Sequence, residues 1–124
     1  MGVALAVAVG GAFGTLSRYG LDRWIERRVD ASFPWSTFAI NLSGCFLVGF
    51  LVAAVVDRQR APQWLRVGLV VGFCGGYTTF STFAQETLEL LEGRDLALAV
   101  VSAVGSVALG VVAVVAGAKV AELV

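Results

Sequence analysis

The sequence contains no histidine and only two cysteines among its 124 residues. The absence of histidine excludes zinc ligation through imidazole and a catalytic triad built on histidine. Cys45 and Cys74 both lie in apolar runs and form neither a CxxC pair nor a disulfide framework. We therefore expect the cysteines to be small packing residues, and we do not expect an enzyme.

Charge is also scarce, because only 15% of the residues are charged and the formal net charge is +0. A soluble domain carries about a quarter charged residues, whereas this chain is 58% hydrophobic with a mean hydropathy of +0.86. The first nine residues carry no positive side chain, so a cleaved signal peptide is not expected. The composition predicts a membrane protein and gives no indication of nucleic-acid binding.

The hydrophobic segments predict an all-α membrane protein with a single four-helix transmembrane domain over residues 1–124. A membrane-spanning helix needs about 20 predominantly apolar residues. Four segments meet that length, and the third is expected to be interrupted near residues 75–78. The predicted spans are residues 2–27, 34–56, 63–91 and 95–119.

The interruption is predicted from the sequence Gly-Phe-Cys-Gly-Gly-Tyr-Thr-Thr-Phe-Ser-Thr-Phe at residues 72–83. Adjacent glycines and several hydroxyl residues fit a spanning helix only where other groups satisfy the loosened backbone. Such broken helices carry the ion sites of many transporters. Carbonyl groups freed at Gly75 and Gly76 would suit a cation such as Na+, with hydroxyl oxygens from Thr78 and Thr79 beside them.

Several polar or aromatic side chains in the spans fit an anion path. Phe80 and Phe83 are three residues apart on one helix face, and the edge of a phenyl ring carries partial positive charge. Asn41 is either a clamp between helices or an anion donor through its NH2 group. Ser102 and Ser106 lie on one face of the fourth span, where two hydroxyls indicate a polar track.

Small residues at four-residue spacing predict close helix packing in the first span, where Ala6, Gly10 and Gly14 share a face. Arg18 continues that face at the end of the span. Two roles for Arg18 stay open at this point. Its side chain either extends to the membrane surface or forms an electropositive vestibule that attracts anions.

The charges of the loops give no clear orientation. Four spans put both termini on one side of the membrane, with four basic residues on that side and five on the other. The two sets are Arg58, Arg60, Arg66 and Lys119, and Arg18, Arg23, Arg27, Arg28 and Arg94. This balance fits a chain that inserts both ways and pairs with its inverted copy, although a few dominant charges could still set one orientation. Because a single four-helix bundle packs its own core solid, we expect a homodimer.

These residues resemble the small bacterial fluoride channels of the CrcB or Fluc family over essentially the whole chain. The resemblance rests most strongly on residues 72–83. It is supported by Gly-Gly-Ala-Phe-Gly at 10–14 and Ser-Arg-Tyr at 17–19 in the first span. In the second span it is supported by Trp-Ser-Thr at 35–37 and Asn-Leu-Ser-Gly at 41–44.

The resemblance implies an antiparallel, dual-topology homodimer in the bacterial plasma (inner) membrane, with two fluoride pathways. It implies a structural Na+ at the dimer centre, held by the backbone carbonyls of Gly75 and Thr78. By position, the fluoride pathway comprises Asn41, Phe80, Phe83, Thr79, Thr82, Ser102, Ser106 and Arg18. Ser102 occupies the place of a tyrosine that the family often has on the polar track.

The expected function is passive, fluoride-selective export from the cytoplasm, which protects against fluoride toxicity. One alternative is a proton-coupled exporter of the small multidrug-resistance type. That mechanism needs a carboxylate within the membrane, and the first span has none before Asp22. A membrane scaffold subunit is a further alternative, which leaves the hydroxyl-rich break without a purpose.

Overall fold

The computed structural model describes residues 2–56, 58 and 61–124, and all regular structure in that part of the chain is helical. Arg60, one of the residues in the charge comparison, lies outside the described residues. Two of the helical stretches, Val52–Val56 and Gly68–Cys74, are π-helical and continue the α-helices before them. The α-helices are α1 Val3–Glu26, α2 Trp35–Leu51, α3 Gln63–Val67, α4 Gly75–Tyr77, α5 Phe80–Glu92 and α6 Leu96–Glu122.

Three stretches are long and apolar enough to cross a membrane: Trp35–Val56, Gln63–Glu92 and Leu96–Glu122. The shortest has 22 residues, which at about 1.5 Å per residue exceeds the roughly 30 Å of a bilayer's hydrocarbon core. Helix α1, which carries Arg18 within its length, is not among the three. The fold is therefore all-helical, with three spans that meet the criteria of length and hydropathy.

The backbone between Gln63 and Glu92 leaves helical geometry at two residues. Thr78 (φ −83°, ψ 159°) and Thr79 (φ −147°, ψ 116°) are extended. The continuous helical stretch before them, made of α3, the π-helical residues Gly68–Cys74 and α4, is called the 63–77 helix. Gly75 stays helical at φ −64° and ψ −35°. The idea that adjacent glycines free the backbone was thus wrong, because β-branched threonines form the extended pair.

The glycines of the 63–77 helix instead let α1 approach closely. A Cβ atom on Gly76 would lie only 2.6 Å from the carbonyl oxygen of Gly11. A Cβ atom on Gly14 would collide with the carbonyl oxygen of Phe73 and lie 2.9 Å from the amide nitrogen of Tyr77. This contact of backbone with backbone confirms the packing predicted from the small-residue face of the first span.

Helices α2 and α6 form the second close pair. Gly49 meets the backbone of Val114, and Gly117 meets the backbone of Phe46, in each case with no room for a side chain. Two pairs of helices, α1 with the 63–77 helix and α2 with α6, therefore frame the molecule. Helix α5 follows the extended threonines and contacts both α2 and α6.

Candidate site at the interrupted helix

The extended pair is held first by its own side chains. The hydroxyl and the amide of Thr78 both donate to the carbonyl of Cys74, at 2.9 and 3.0 Å. The side chain of Thr79 is the N-cap of α5, since its Oγ1 accepts from the amide of Thr82 at 3.3 Å. The Thr79 hydroxyl also donates to the Thr82 hydroxyl at 3.0 Å. Each end of the interruption is thus capped by a threonine, which satisfies backbone groups that lipid cannot hydrogen-bond.

Asn41 on α2 secures the interruption from outside. Its Nδ2 donates to the carbonyl of Thr79 at 2.9 Å, and its Oδ1 accepts from the amide of Thr79 at 2.8 Å. The Asn41 side chain therefore forms with Thr79 the two backbone hydrogen bonds that a neighbouring β-strand would otherwise form. The clamp role of Asn41 is confirmed by this geometry. One N–H of the NH2 group remains after these two bonds, so the donor role is compatible with the clamp.

A second polar contact joins α2 and α5, one helical turn before Asn41 on α2. The hydroxyl of Thr37 donates to a carboxylate oxygen of Glu86 at 2.8 Å, and the other carboxylate oxygen, Oε2, is buried without a partner among the described residues. Thr37 and Asn41 are four residues apart on α2, and Glu86 is seven residues after Thr79. This pair was not predicted from the sequence, although the helical spacings of the two polar faces indicate it.

The two phenylalanines of the predicted fluoride pathway lie beside each other at the start of α5. Their ring centroids are 5.8 Å apart and the ring planes make an angle of 44°. Phe80 is 79% exposed in the protomer, and no residue of α5 is buried. The predicted ring pair thus lies on a surface of the protomer rather than inside its bundle.

A cavity of about 270 Å3 lies against the interruption. It brings together four of the residues that the sequence singled out, and no charged side chain is among the described residues that line it. An uncharged, hydroxyl- and amide-bearing wall can stabilise an anion without trapping it in an ion pair. The lining residues are Asn41, Gly44, Cys45, Val48, Thr78, Thr79, Phe80 and Val114.

The serines of α6 lie elsewhere. Ser102 is only 1% exposed and Ser106 is half-buried, and neither lines the cavity beside Asn41. A tyrosine hydroxyl does occur near the interruption, because the hydroxyl groups of Tyr77 and Ser43 are 2.8 Å apart. The protomer therefore does not join the predicted polar track to the ring pair.

Backbone carbonyls at the interruption fall into two groups. Those of Cys74, Gly76 and Thr79 accept hydrogen bonds from Thr78, Arg18 and Asn41 respectively. The amides four residues further along donate elsewhere, that of Thr79 to Asn41 and that of Thr82 to the Thr79 hydroxyl. No turn, cap or side-chain hydrogen bond of the described residues goes to the carbonyls of Gly75 and Thr78. Two carbonyl oxygens, from the residues predicted to hold a cation, are therefore free to accept another group.

Residues 5–118 match the family model described as CrcB-like protein, Camphor Resistance (CrcB). The chain belongs to the CrcB family. This match includes α2, the interrupted helix and nearly all of α1 and α6, so the CrcB assignment covers every element of the site.

Similar CrcB-family proteins are named fluoride-specific ion channel FluC. The protein from Nitrobacter winogradskyi is 42% identical, over 97% of this chain and 95% of its own length. The protein from Azotobacter vinelandii is 46% identical over 80% of both chains, and that from Thermus thermophilus is 43% identical over 86% of this chain and 83% of its own. These names place the relatives among ion channels, a class other than enzymes.

Proposed function

We propose that this protein is a passive, fluoride-selective channel that exports fluoride from the cytoplasm. The observation that carries the proposal is the identity of 42–46% to proteins named fluoride-specific ion channels, over 80% or more of the chain. The proton-coupled exporter is not favoured by these relatives. The chain is a multi-pass bacterial membrane protein, which we place in the plasma (inner) membrane.

Passive export is sufficient to remove fluoride. Hydrogen fluoride is a weak acid that enters cells in its neutral form and ionises in the less acidic cytoplasm. A membrane potential negative inside then drives the anion outward, since each 100 mV is worth about 2.3 kcal/mol per charge. The channel needs only a path that replaces water around the ion.

The site offers groups that suit a small, strongly hydrated anion. The remaining N–H of Asn41 is a hydrogen-bond donor, and so is the hydroxyl of Thr82, which accepts from the Thr79 hydroxyl and keeps its own hydrogen; the edges of Phe80 and Phe83 carry partial positive charge. All of them are neutral, so the ion is stabilised at several weak sites and can leave each one. Ser102, Ser106 and Arg18 extend this pathway in our proposal.

Four crossings per subunit and an antiparallel homodimer complete the proposed assembly. The 24 residues of α1 extend for about 36 Å and pack along the 63–77 helix, so we take α1 as a crossing despite Arg18. The protomer exposes Ser81, Thr82 and the ring of Phe80 within a span. Lipid gives hydroxyl groups no partner, whereas a second, inverted subunit can cover them.

The free carbonyls support a structural Na+ at the centre of that dimer. Carbonyls of unwound backbone and of the C-terminal ends of half-helices coordinate Na+ in broken membrane helices. The carbonyl oxygens of Gly75 and Thr78 are suitable ligands, because neither accepts a hydrogen bond from the described residues of the protomer. Gly75 is exposed, and a Cβ atom there would meet nothing within 4 Å. The ion would supply positive charge that ties the two interruptions together.

Dual topology predicts partial labelling of a single loop residue. Ser32 is exposed in the loop between α1 and α2, while Cys74 is buried. In intact spheroplasts, a membrane-impermeant maleimide should label half of the Ser32→Cys protein, and the rest should react only after permeabilisation. The parent protein with its two natural cysteines gives the background. Complete labelling, or none, before permeabilisation would contradict the inverted pairing.

Replacing Phe80 with isoleucine should lower fluoride flux while the protein stays folded. Isoleucine keeps apolar bulk but has no electropositive ring edge. If the anion gains at a ring edge about the 0.5–1.5 kcal/mol that one aromatic ring gains from another, flux should fall by up to about tenfold. The measurement is fluoride release from liposomes, read with a fluoride electrode. Phe13→Ile, at an exposed ring of α1, is the matched control. Equal flux in both variants would remove Phe80 from the pathway.

A further inference from the structure

Arg18 reaches across from α1 to the backbone of the interrupted helix. Its Nε donates to the carbonyl of Gly76 at 3.2 Å, and the hydroxyl of Thr15 donates to the same oxygen at 3.4 Å. The Gly76 carbonyl belongs to the last residues before the extended threonines, so the ending helix provides it with no amide partner. Arg18 thus satisfies a carbonyl group that the interruption exposes.

The helix packing explains why an arginine can do this. Gly11, Thr15 and Arg18 follow one another at i, i+4 and i+7, so they share the α1 face that lies against Gly76. Gly76 has no side chain to hold the helices apart, and Arg18 is half-buried there. A positive group at the C-terminal end of a helix is also favourable for the helix dipole.

We infer that Arg18 is a positioning residue for the interruption, and that it acts through the Gly76 carbonyl rather than only as a charge that attracts anions. Because Arg18 holds the Gly76 carbonyl towards α1, it fixes the plane of the peptide bond between Gly76 and Tyr77. In the chain this peptide bond lies between Gly75 and Thr78, the two residues whose carbonyls stay free. The inference rests on the proposed function where it concerns those two carbonyls. The hydrogen bond itself does not depend on that function.

Two neutral substitutions of similar length separate the hydrogen bond from the charge. In Arg18→Gln, the side-chain nitrogen is four bonds from Cα, as is Nε of arginine, so the donor is kept and the charge is lost. Arg18→Met has a similar length but neither donor nor charge. Arg23→Gln is the matched control for charge loss, because Arg23 lies on the same helix and pairs only with Glu26 among the described residues.

The chain contains its own reporter of a loosened interruption. Cys74 is 1% exposed, and its carbonyl accepts a hydrogen bond from the hydroxyl of Thr78. The rate at which a membrane-permeant maleimide labels Cys74 in a Cys45→Ala background therefore measures opening of this segment, whether or not the protein conducts fluoride. Fluoride flux at varied Na+ concentration is the second readout.

We expect Arg18→Gln and the Arg23→Gln control to label at the parent rate. Arg18→Met should label up to about tenfold faster, as loss of the hydrogen bond to the Gly76 carbonyl implies. Arg18→Met should also need more Na+ for half-maximal flux, and Arg18→Gln should not. Equal Cys74 labelling in the Gln and Met variants would overturn the inference.

Two further outcomes separate the inference from the proposed function. If Arg18→Met does not fold, Arg18→Lys replaces it in the comparison. Parent-rate labelling of Cys74 in both Arg18→Gln and Arg18→Lys then supports the positioning role, whereas parent-rate labelling in Lys with faster labelling in Gln overturns it in favour of charge. Absence of fluoride flux in the parent protein would refute the proposed function, while the Cys74 comparison would still test Arg18.

Discussion

Replacing Asn41 with aspartate is expected to stop fluoride conduction. The substitution removes the N–H that binds the Thr79 carbonyl and puts a carboxylate beside the uncharged cavity. A unit charge about 4 Å from the anion costs about 4 kcal/mol at an effective dielectric constant near 20. A barrier raised by that amount lowers the rate by about three orders of magnitude. Fluoride release from liposomes measures the effect.

The control for Asn41→Asp makes the same chemical change away from the cavity. Gln85 is exposed on α5, where its amide donates to Glu89 at 3.2 Å. Gln85→Glu therefore adds a carboxylate to the same protein without approaching the interruption, and it should conduct like the parent. Flux in Asn41→Asp within about tenfold of the Gln85→Glu control, from protein with an unchanged gel-filtration profile, would exclude Asn41 from the ion path.

Replacing Gly14 with alanine separates α1 from the 63–77 helix. The added methyl group would overlap the carbonyl oxygen of Phe73, and because the atoms it meets belong to backbone, the two helices must move apart. Overpacking of this kind costs about 1–3 kcal/mol. We expect a lower midpoint of thermal unfolding in detergent, together with weaker fluoride flux, because α1 also carries Arg18.

Gly20→Ala is the matched control on the same helix. A Cβ atom at Gly20 meets nothing within 4 Å, so the substitution adds helix propensity, worth up to about 1 kcal/mol, without a clash. Its unfolding midpoint should equal or exceed that of the parent. If the two alanine variants unfold at the same temperature, the close approach of α1 to Phe73 is not what holds this pair of helices together.

Composition and local motif were sufficient to predict the helical membrane fold and the family. Apolar runs of spanning length require no knowledge of neighbours, and three of them coincide with long apolar helices in the structure. The hydroxyl- and phenylalanine-rich run at 72–83 was specific enough to indicate the CrcB family, which the match over residues 5–118 confirms.

Contacts between helices were harder to predict, because the period of one helix does not fix its rotation and height against another. Asn41 was singled out as a buried amide, but its pairing with both backbone groups of Thr79 depends on how α2 and α5 are aligned. The direction of Arg18 towards Gly76 depends in the same way on α1. The place of the interruption was misread because glycine was taken to break a helix, whereas Gly75 and Gly76 remain helical and serve close packing.

The most direct test of fluoride-selective, passive conduction is the reversal potential of the current carried by the purified protein in a planar bilayer. Under a tenfold fluoride gradient with equal chloride and pH, the current should reverse about 59 mV from zero, the value for one charge per ion. Changing the pH or the chloride concentration on one side should leave that potential in place. A reversal potential that follows chloride or protons instead of fluoride would contradict the proposed function.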